Sequence, residues 1–346
     1  MDRDVKKLKV MVLVREGLEP PESIEEMSDD EYKNAPWKCE FDVVATLENL
    51  GHRVRVLGVY SDLAAIRNAV EEWEPDVTFN LLEEWESIAL WDHNVVSYLE
   101  LLGARYTGCN PRGLMLARDK ALSKKLLAYH RIKVPEFHVF PRNRKVRRPK
   151  RLAFPLFVKS VTEDASLGIS NASLVTDDTA LAERVRFVHE KAGTDAIAEQ
   201  FIEGRELYVS VVGNDRLMAF PVWELLFTEK PKDRPLIATR RAKWDSKYQK
   251  KWGVISKAAE ELPAGMAERI QKLSKRIYRH LCQSGYARID FRLSPDGELY
   301  FLEANPNPQL AFGEDFAESV EKGGVEYEKL LQKILRLGLL YRPVKV

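Results

Sequence analysis

Two apolar runs of strand length, Ala287–Leu293 and Leu299–Glu303, flank Ser294-Pro-Asp-Gly297, a sequence that closes a β-hairpin. This stretch constrains the chain most, because polar residues sit inside it at fixed places. Arg288 and Asp290 alternate with Ala287, Ile289 and Phe291 on the first strand, and Glu303 and Asn305 flank Ala304 at the end of the second. Residues two apart on a strand share a face, so Glu303 and Asn305 point the same way and Asp290 can meet them across the ladder. The apolar neighbours Ala287, Ile289, Phe291, Leu302 and Ala304 would bury such strands, and acids placed there need partners. The three ligands offer oxygen only, which suits Mg2+, an ion that fills its shell with water and phosphate oxygens.

Ahead of the hairpin the pattern changes from strands alone to strands alternating with helices. Leu8–Val14, His52–Val59 and Asp76–Leu82 read as strands, and Phe41–Leu50, Leu63–Trp73 and Val95–Leu102 as helices. That alternation predicts a parallel sheet covered on both faces. The acidic, proline-containing stretch Glu19–Ala35 interrupts it and reads as a loop insertion. Pro111–Tyr129 reads as one helix with proline near its start. Strands follow at Glu136–Phe140, Phe154–Lys159, Ala172–Val175, Ala196–Phe201, Glu206–Val212 and Leu217–Leu226, with a helix at Leu181–Val188. Pro231–Gly253 is polar and basic and reads as an irregular flap. Met266, Ile270, Leu273, Ile277 and Leu281 mark an amphipathic helix, and a last helix covers Tyr327–Leu337. The plan is α/β followed by α+β, with divisions expected at 1–108, 109–195 and 196–346.

Composition excludes several classes. Hydrophobic content of 45% against 31% charged residues is that of a globular chain. A net charge of +1 supplies no global field toward nucleic acid or a membrane, and no apolar run reaches the ~18 residues of a membrane helix. Arg142–Arg151 holds seven basic residues in ten but no interleaved aromatics, so it reads as a solvated connector, with a nucleic-acid patch or a positive rim as the alternatives. Cys39, Cys109 and Cys282 are far apart, suit a reducing cytoplasm, and read as packing residues.

Three more segments carry chemistry. Lys159 ends a strand and precedes the small-residue loop Ser160–Gly168, where backbone N–H groups can aim at phosphates. Lys120 lies in Ala-Arg-Asp-Lys. Ala198-Glu-Gln-Phe-Ile-Glu-Gly-Arg-Glu206 follows. The order and spacing of these segments with Arg288, Asp290, Glu303 and Asn305 resemble the D-alanine–D-alanine ligase branch of the ATP-grasp superfamily, over roughly 76–337.

The resemblance implies an N-terminal pre-ATP-grasp domain and a two-lobed ATP-grasp domain with ATP between two antiparallel sheets. It implies Lys120 and Lys159 on the phosphates, Ser166, Leu167 and Gly168 in the loop over them, and Glu199, Gln200, Phe201 and Ile202 at the adenine. Glu206 is then the ribose carboxylate, and Lys243 reaches the γ-phosphate. Asp290, Glu303 and Asn305 hold two Mg2+ ions, with Mn2+ as the alternative. The activity implied is joining a small-molecule carboxylate to an amine through an acyl phosphate, with Arg288 stabilising the tetrahedral oxyanion. A homodimer is implied too, and the cysteine usage places it in the cytoplasm. The rivals are a catalytically inactive ATP-binding regulatory module and a ligase for a pair other than alanine. Two departures favour the last. The family's Gly-Gly-x-Ser-x-Glu segment reads Arg15-Glu-Gly-Leu-Glu19 here, which leaves Glu16 to play the acid's part. The family's Ser-Pro-Gly turn and nearby serine are replaced by Pro306-Asn-Pro-Gln-Leu310, with the next serine at Ser319. The phosphate loop also departs, reading Asp164-Ala165-Ser166 for Gly-Ser-Ser.

Overall fold

The computed structural model describes residues 7–163, 169–229, 242 and 245–343. Its first sheet is parallel, in the order β2-β1-β3, built from β1 (Lys9–Arg15), β2 (Arg53–Val59) and β3 (Val77–Asn80). In β1 the residues Val10–Val14 are all buried without alternation, so both faces are covered. The Glu19–Ala35 stretch is not wholly a loop. Ser28 and Glu31 form a capping box that starts helix α1 (Asp29–Lys33), and the Tyr32 ring packs edge-on against Phe41. Phe41 lies in α2 (Lys38–Asn49), which precedes α3 (Leu63–Trp73) and α4 (Asp92–Leu101).

The helix expected over 111–129 is two helices, α5 (Pro111–Arg118) and α6 (Lys120–Tyr129). Asp119 between them is extended, and its carboxylate accepts from the N–H groups of Ala121 and Leu122 at 2.9 and 2.8 Å. An N-cap outweighs helix continuation here and reorients the segment that carries Lys120. The next sheet is antiparallel, in the order β4-β7-β5-β6, with β4 (Phe137–Phe140), β5 (Leu156–Ser160), β6 (Leu174–Val175) and β7 (Ala196–Gln200). Helix α7 (Asp178–Lys191) covers one face through Leu181, Val185 and Val188, against Leu156, Val158 and Ala198. The other face carries Ile197 and Val161 and meets Ala121 of α6. The basic run between β4 and β5 is partly tied down: Arg142 donates to Gly193 O at 2.7 Å and Arg148 to Asp178 at 2.8 Å.

The third sheet runs β11-β10-β8-β12-β13, with β9 pairing β8. Its strands are β8 (Arg205–Val212), β9 (Met218–Ala219), β10 (Trp223–Phe227), β11 (Val254–Ala258), β12 (Tyr286–Leu293) and β13 (Leu299–Pro306). The strand expected over 217–226 is therefore split, at Pro221, which lacks the N–H a ladder requires. The expected flap ends in a helix, α8 (Ser246–Trp252), that leads into β11. Helix α9 (Met266–His280) packs Ile270 and Ile277 on Leu207, Val209, Ile289 and Phe301. After α10 (Asp315–Lys322), the last helix, α11 (Tyr327–Leu340), returns to the first sheet. There Leu330, Leu331, Ile334 and Leu335 share one core with Val10, Val12, Val77 and Phe79.

Candidate active site

Alternation along β8, β12 and β13 gives the third sheet one apolar face, under α9, and one polar face. Arg288 is paired in register with Ser210 and Asn305, and Asp290 with Tyr208 and Glu303. Between Asp290 and Phe291 the β12–β13 register shifts, so that Phe301 faces Phe291 and Leu302 is an extra residue. Such a bulge re-aims side chains. Phe301 drops into the core while Glu303, two residues on, reaches the polar face, an arrangement that simple alternation forbids.

On that face Arg288 grips Asp290 with a two-pronged bond, Nε to Oδ1 at 2.8 Å and Nη2 to Oδ2 at 2.9 Å. Burial works against the Arg288 charge, but Asp290 more than offsets it and raises the guanidinium pKa. Asn305 Nδ2 donates to Asp290 Oδ2 at 3.0 Å. The Arg288 guanidinium also lies 4.7 Å from the centre of the Tyr208 ring. The hairpin thus brings Arg288, Asp290, Glu303 and Asn305 together. Two carboxylates and one amide oxygen can serve a hard cation that takes its remaining ligands from water and phosphate. Among the described residues no three His, Cys, Asp or Glu side chains converge as a self-sufficient metal cluster.

The lysines reach the same face from the second sheet. Lys159 Nζ stands 3.3 Å from Glu303 Oε2 and 3.5 Å from Glu199 Oε2. Burial would lower its pKa, but the two carboxylates more than offset that and raise it. Lys120 is buried and its Nζ donates to Glu163 O at 2.7 Å, at the start of the loop that follows β5. Ser166, Leu167, Gly168 and Lys243 lie outside the described residues. Gln200 and Phe201 engage their backbone N–H groups with Glu136 O and Pro155 O, and Ile202 is buried beside them. Glu206 is set apart from the carboxylate row, bonded by Arg292 Nη2 at 2.8 Å and by the Tyr208 hydroxyl at 2.9 Å.

Sequence reasoning missed Lys124. It is fully buried, 3.1 Å from Glu199 Oε1, and donates to the carbonyl of the bulged residue Leu302. Burial pulls its pKa down to about 8. Lys124, Glu199, Lys159 and Glu303 form a continuous chain of alternating charge that joins α6 and the second sheet to the third. The signal was available: Lys120 and Lys124 are four apart, one above the other on a helix. Arg118 was missed as well. It is held on Asp92 Oδ2 at 2.6 Å by Nη2, and both residues border the site.

A cavity of about 340 Å³ opens over this face, lined by Tyr208, Arg288, Glu303, Asn305, Gln309 and Glu314 among others. A second of about 180 Å³ adjoins it through Leu82, Glu83, Asn307, Pro308 and Gln309, and extends toward the first sheet. Asn307 is fixed by a bond from Cys109 N–H to its Oδ1 at 2.8 Å, across from Gly108. At Gly108, with φ of +92°, a Cβ would come within 2.5 Å of that oxygen. Glu16, on the loop after β1, is exposed and lines neither cavity.

A parallel three-stranded unit followed by two antiparallel sheets, with lysines of one opposite a carboxylate row of the other, is the ATP-grasp arrangement. The chain belongs to the D-alanine–D-alanine ligase family: the model described as "D-ala D-ala ligase C-terminus" matches residues 126–336. A D-alanine–D-alanine ligase of Desulfotalea psychrophila is 31% identical over 256 residues, 72% of this chain and 74% of that protein. "Uncharacterized protein y4sG" of Sinorhizobium fredii is 28% identical over 310 residues, 87% of this chain and 88% of that one. The fold is that of the Bacillus anthracis D-alanine–D-alanine ligase complexed with ATP, with a TM-score of 0.71 at 22% identity over 96% of this chain and 97% of that one. Among the described residues no helix is long and apolar enough to cross a membrane.

Proposed function

We propose that the protein is an ATP-dependent carboxylate–amine ligase whose substrates are not two D-alanines. The observation that carries the ligase reading is the contact of Lys159 with Glu303 in the same row as Asp290, Asn305 and Arg288, at the edge of a cavity that can hold substrate. ATP is bound between the second and third sheets. Lys120 and Lys159 take the phosphates, Ser166, Leu167 and Gly168 belong to the loop assigned to them, and Lys243 is assigned to the γ-phosphate. Glu199, Gln200, Phe201 and Ile202 border the adenine, and Glu206 holds the ribose. Asp290, Glu303 and Asn305 hold Mg2+, which neutralises phosphate charge during transfer. The substrate carboxylate takes the γ-phosphoryl group as ADP leaves. The amine then attacks the acyl phosphate, and Arg288 stabilises the oxyanion before phosphate departs. The divisions at 108 and 195 belong to the same proposal.

The departure from D-alanine rests on Ser319. It is the first serine after Asn305, and it is buried with its hydroxyl bonded to Ser210 at 2.6 Å and to Phe316 O at 2.9 Å. No serine hydroxyl from this turn therefore meets a carboxylate in the larger cavity. A site that lacks a donor its substrate needs discriminates strongly against that substrate. The test is ADP release from Mg-ATP with pooled amino acids, peptides and polyamines, and with D-alanine alone. Release that requires both a carboxylate and an amine, with D-alanine a poor pair, is expected. A D-alanine kcat/KM of ~10⁴ M⁻¹s⁻¹ or more with no better partner restores the plain family activity. No release with any pool removes the ligase reading.

A further inference from the structure

The stretch between β13 and α10 carries wall residues of both cavities: Asn307, Pro308 and Gln309 border each, and Glu314 borders the larger. Core packing anchors its first half. Leu310 and Ala311 are buried in the core under the first sheet, and the Tyr327 hydroxyl donates to Leu310 O at 2.8 Å. The second half turns outward at Phe312 and Gly313, which are exposed. What holds it there comes from α2, far back in the chain. The Asp42 carboxylate accepts from the Phe312 N–H at 2.7 Å, and Lys38 Nζ donates to Phe312 O at 2.6 Å. Lys38 and Asp42, one helical turn apart, are themselves paired at 3.1 Å, with only 11% and 9% of their side chains exposed. Two side chains thus engage both backbone groups of one residue, through charge-assisted bonds of the stronger kind.

The other oxygen of Asp42 is engaged from the inserted segment: Tyr32, in α1, donates its hydroxyl to Asp42 Oδ1. Burial and Asp42 both raise the Tyr32 pKa, so the hydroxyl remains a donor at neutral pH. The Tyr32 ring packs edge-on against Phe41 and lies 5.6 Å from Lys38 Nζ. We propose that Tyr32, Lys38 and Asp42 are positioning residues of the ligase, a clamp by which the inserted segment fixes the turn at Phe312 and, through it, the cavity walls that meet the small-molecule substrates. The proposal rests on the ligase reading for what the cavities hold. Tyr32, Lys38 and Asp42 line neither cavity, so they act through Gln309 and Glu314, which do.

The experiment uses the full chain and two variants. Tyr32→Phe keeps the ring on Phe41 and removes only the hydroxyl; Asp42→Ala removes the centre of the clamp. Hydrogen exchange of peptides across 307–316 reads the turn directly. Exchange of the Phe312 amide is expected to quicken about tenfold in Tyr32→Phe, the scale of one hydrogen bond to a charged group, and further in Asp42→Ala, with β8 unchanged. Ligation is read separately, with hydroxylamine as the amine, Mg-ATP, and a panel of amino acids and simple carboxylic acids, so that an acyl phosphate appears as hydroxamate. In Tyr32→Phe the KM for the preferred carboxylate of the panel is expected to rise about tenfold. The KM for Mg-ATP and the melting temperature should stay close to wild type. A merely structural tyrosine would instead lower the melting temperature and leave both KM values alone. Unchanged exchange at Phe312, or KM values for carboxylate and ATP that rise together or not at all, would overturn the proposal. Should Asp42→Ala not fold, Tyr32→Phe decides alone. Faster exchange in the variants with no hydroxamate from wild type supports the clamp and removes the ligase reading. Hydroxamate with unchanged exchange does the reverse.

Discussion

Replacing Glu40 by glutamine should make the protein more stable, in a pH-dependent way that the structure sets. Burial pushes the Glu40 carboxyl up to about 7 from an ordinary 4.5, with Glu83 adding to the shift and Arg15 opposing it. Other titratable groups around the smaller cavity, which Glu40 also lines, are the Cys39 thiol and the Tyr286 hydroxyl, both raised by burial, and Glu84, paired to Arg15. The folded state holds the proton more tightly than the unfolded state. Stability from this group is therefore unaffected below pH 4.5, falls as pH rises toward 7, and stays low above it. A shift of this size corresponds to about 3 kcal/mol at 1.36 kcal/mol per unit. Glu40→Gln removes the charge and keeps the shape. In thermal melts of the ligand-free protein, the variant should match wild type near pH ~4 and melt several degrees higher near pH ~8. Parallel pH curves for the two proteins, or a variant less stable at every pH, would refute the claim that burial of the Glu40 carboxylate is incompletely compensated.

Other expectations concern the charge row. Lys159→Met leaves Glu199 and Glu303 facing each other across the join between sheets, and should cost about 3–5 kcal/mol in an unfolding titration, the usual result of breaking a buried pair from one side. No measurable loss would mean that the contact is not maintained in solution. Glu303→Gln should fold normally yet release no ADP; near-normal turnover would misplace the metal. Arg288→Met should lower ligation by about 3 kcal/mol in barrier while leaving Mg-ATP affinity close to wild type, and a collapse of nucleotide affinity would instead put Arg288 in the ATP site.

The hairpin at 286–306 was legible because its chemistry is local: a turn sequence, two strands of period two, and polar residues at set offsets. Even there, the bulge at Leu302 was not readable, since it comes from pairing with β12 and from the Lys124 bond to its carbonyl. The break at Asp119 was missed because the residues around it suit a helix, and only the cap geometry ends one. Strand β11 and helix α10 were missed for different reasons. The first follows a polar segment with weak alternation, and the second packs on distant elements through Phe316, Ala317 and Val320. Lys124 could have been flagged by its i,i+4 spacing from Lys120, but Glu40 carries no such signal, because α2 becomes enclosed only when remote parts of the chain cover it.

The central claim is that a substrate carboxylate is activated by direct transfer of the γ-phosphoryl group. Amino acids labelled with oxygen-18 in the carboxyl group, given with Mg-ATP and an amine pool, test it directly. The account predicts inorganic phosphate carrying one oxygen-18 atom per ligation, because the bridging oxygen of the acyl phosphate leaves with phosphorus. Unlabelled phosphate released in step with ADP would contradict it.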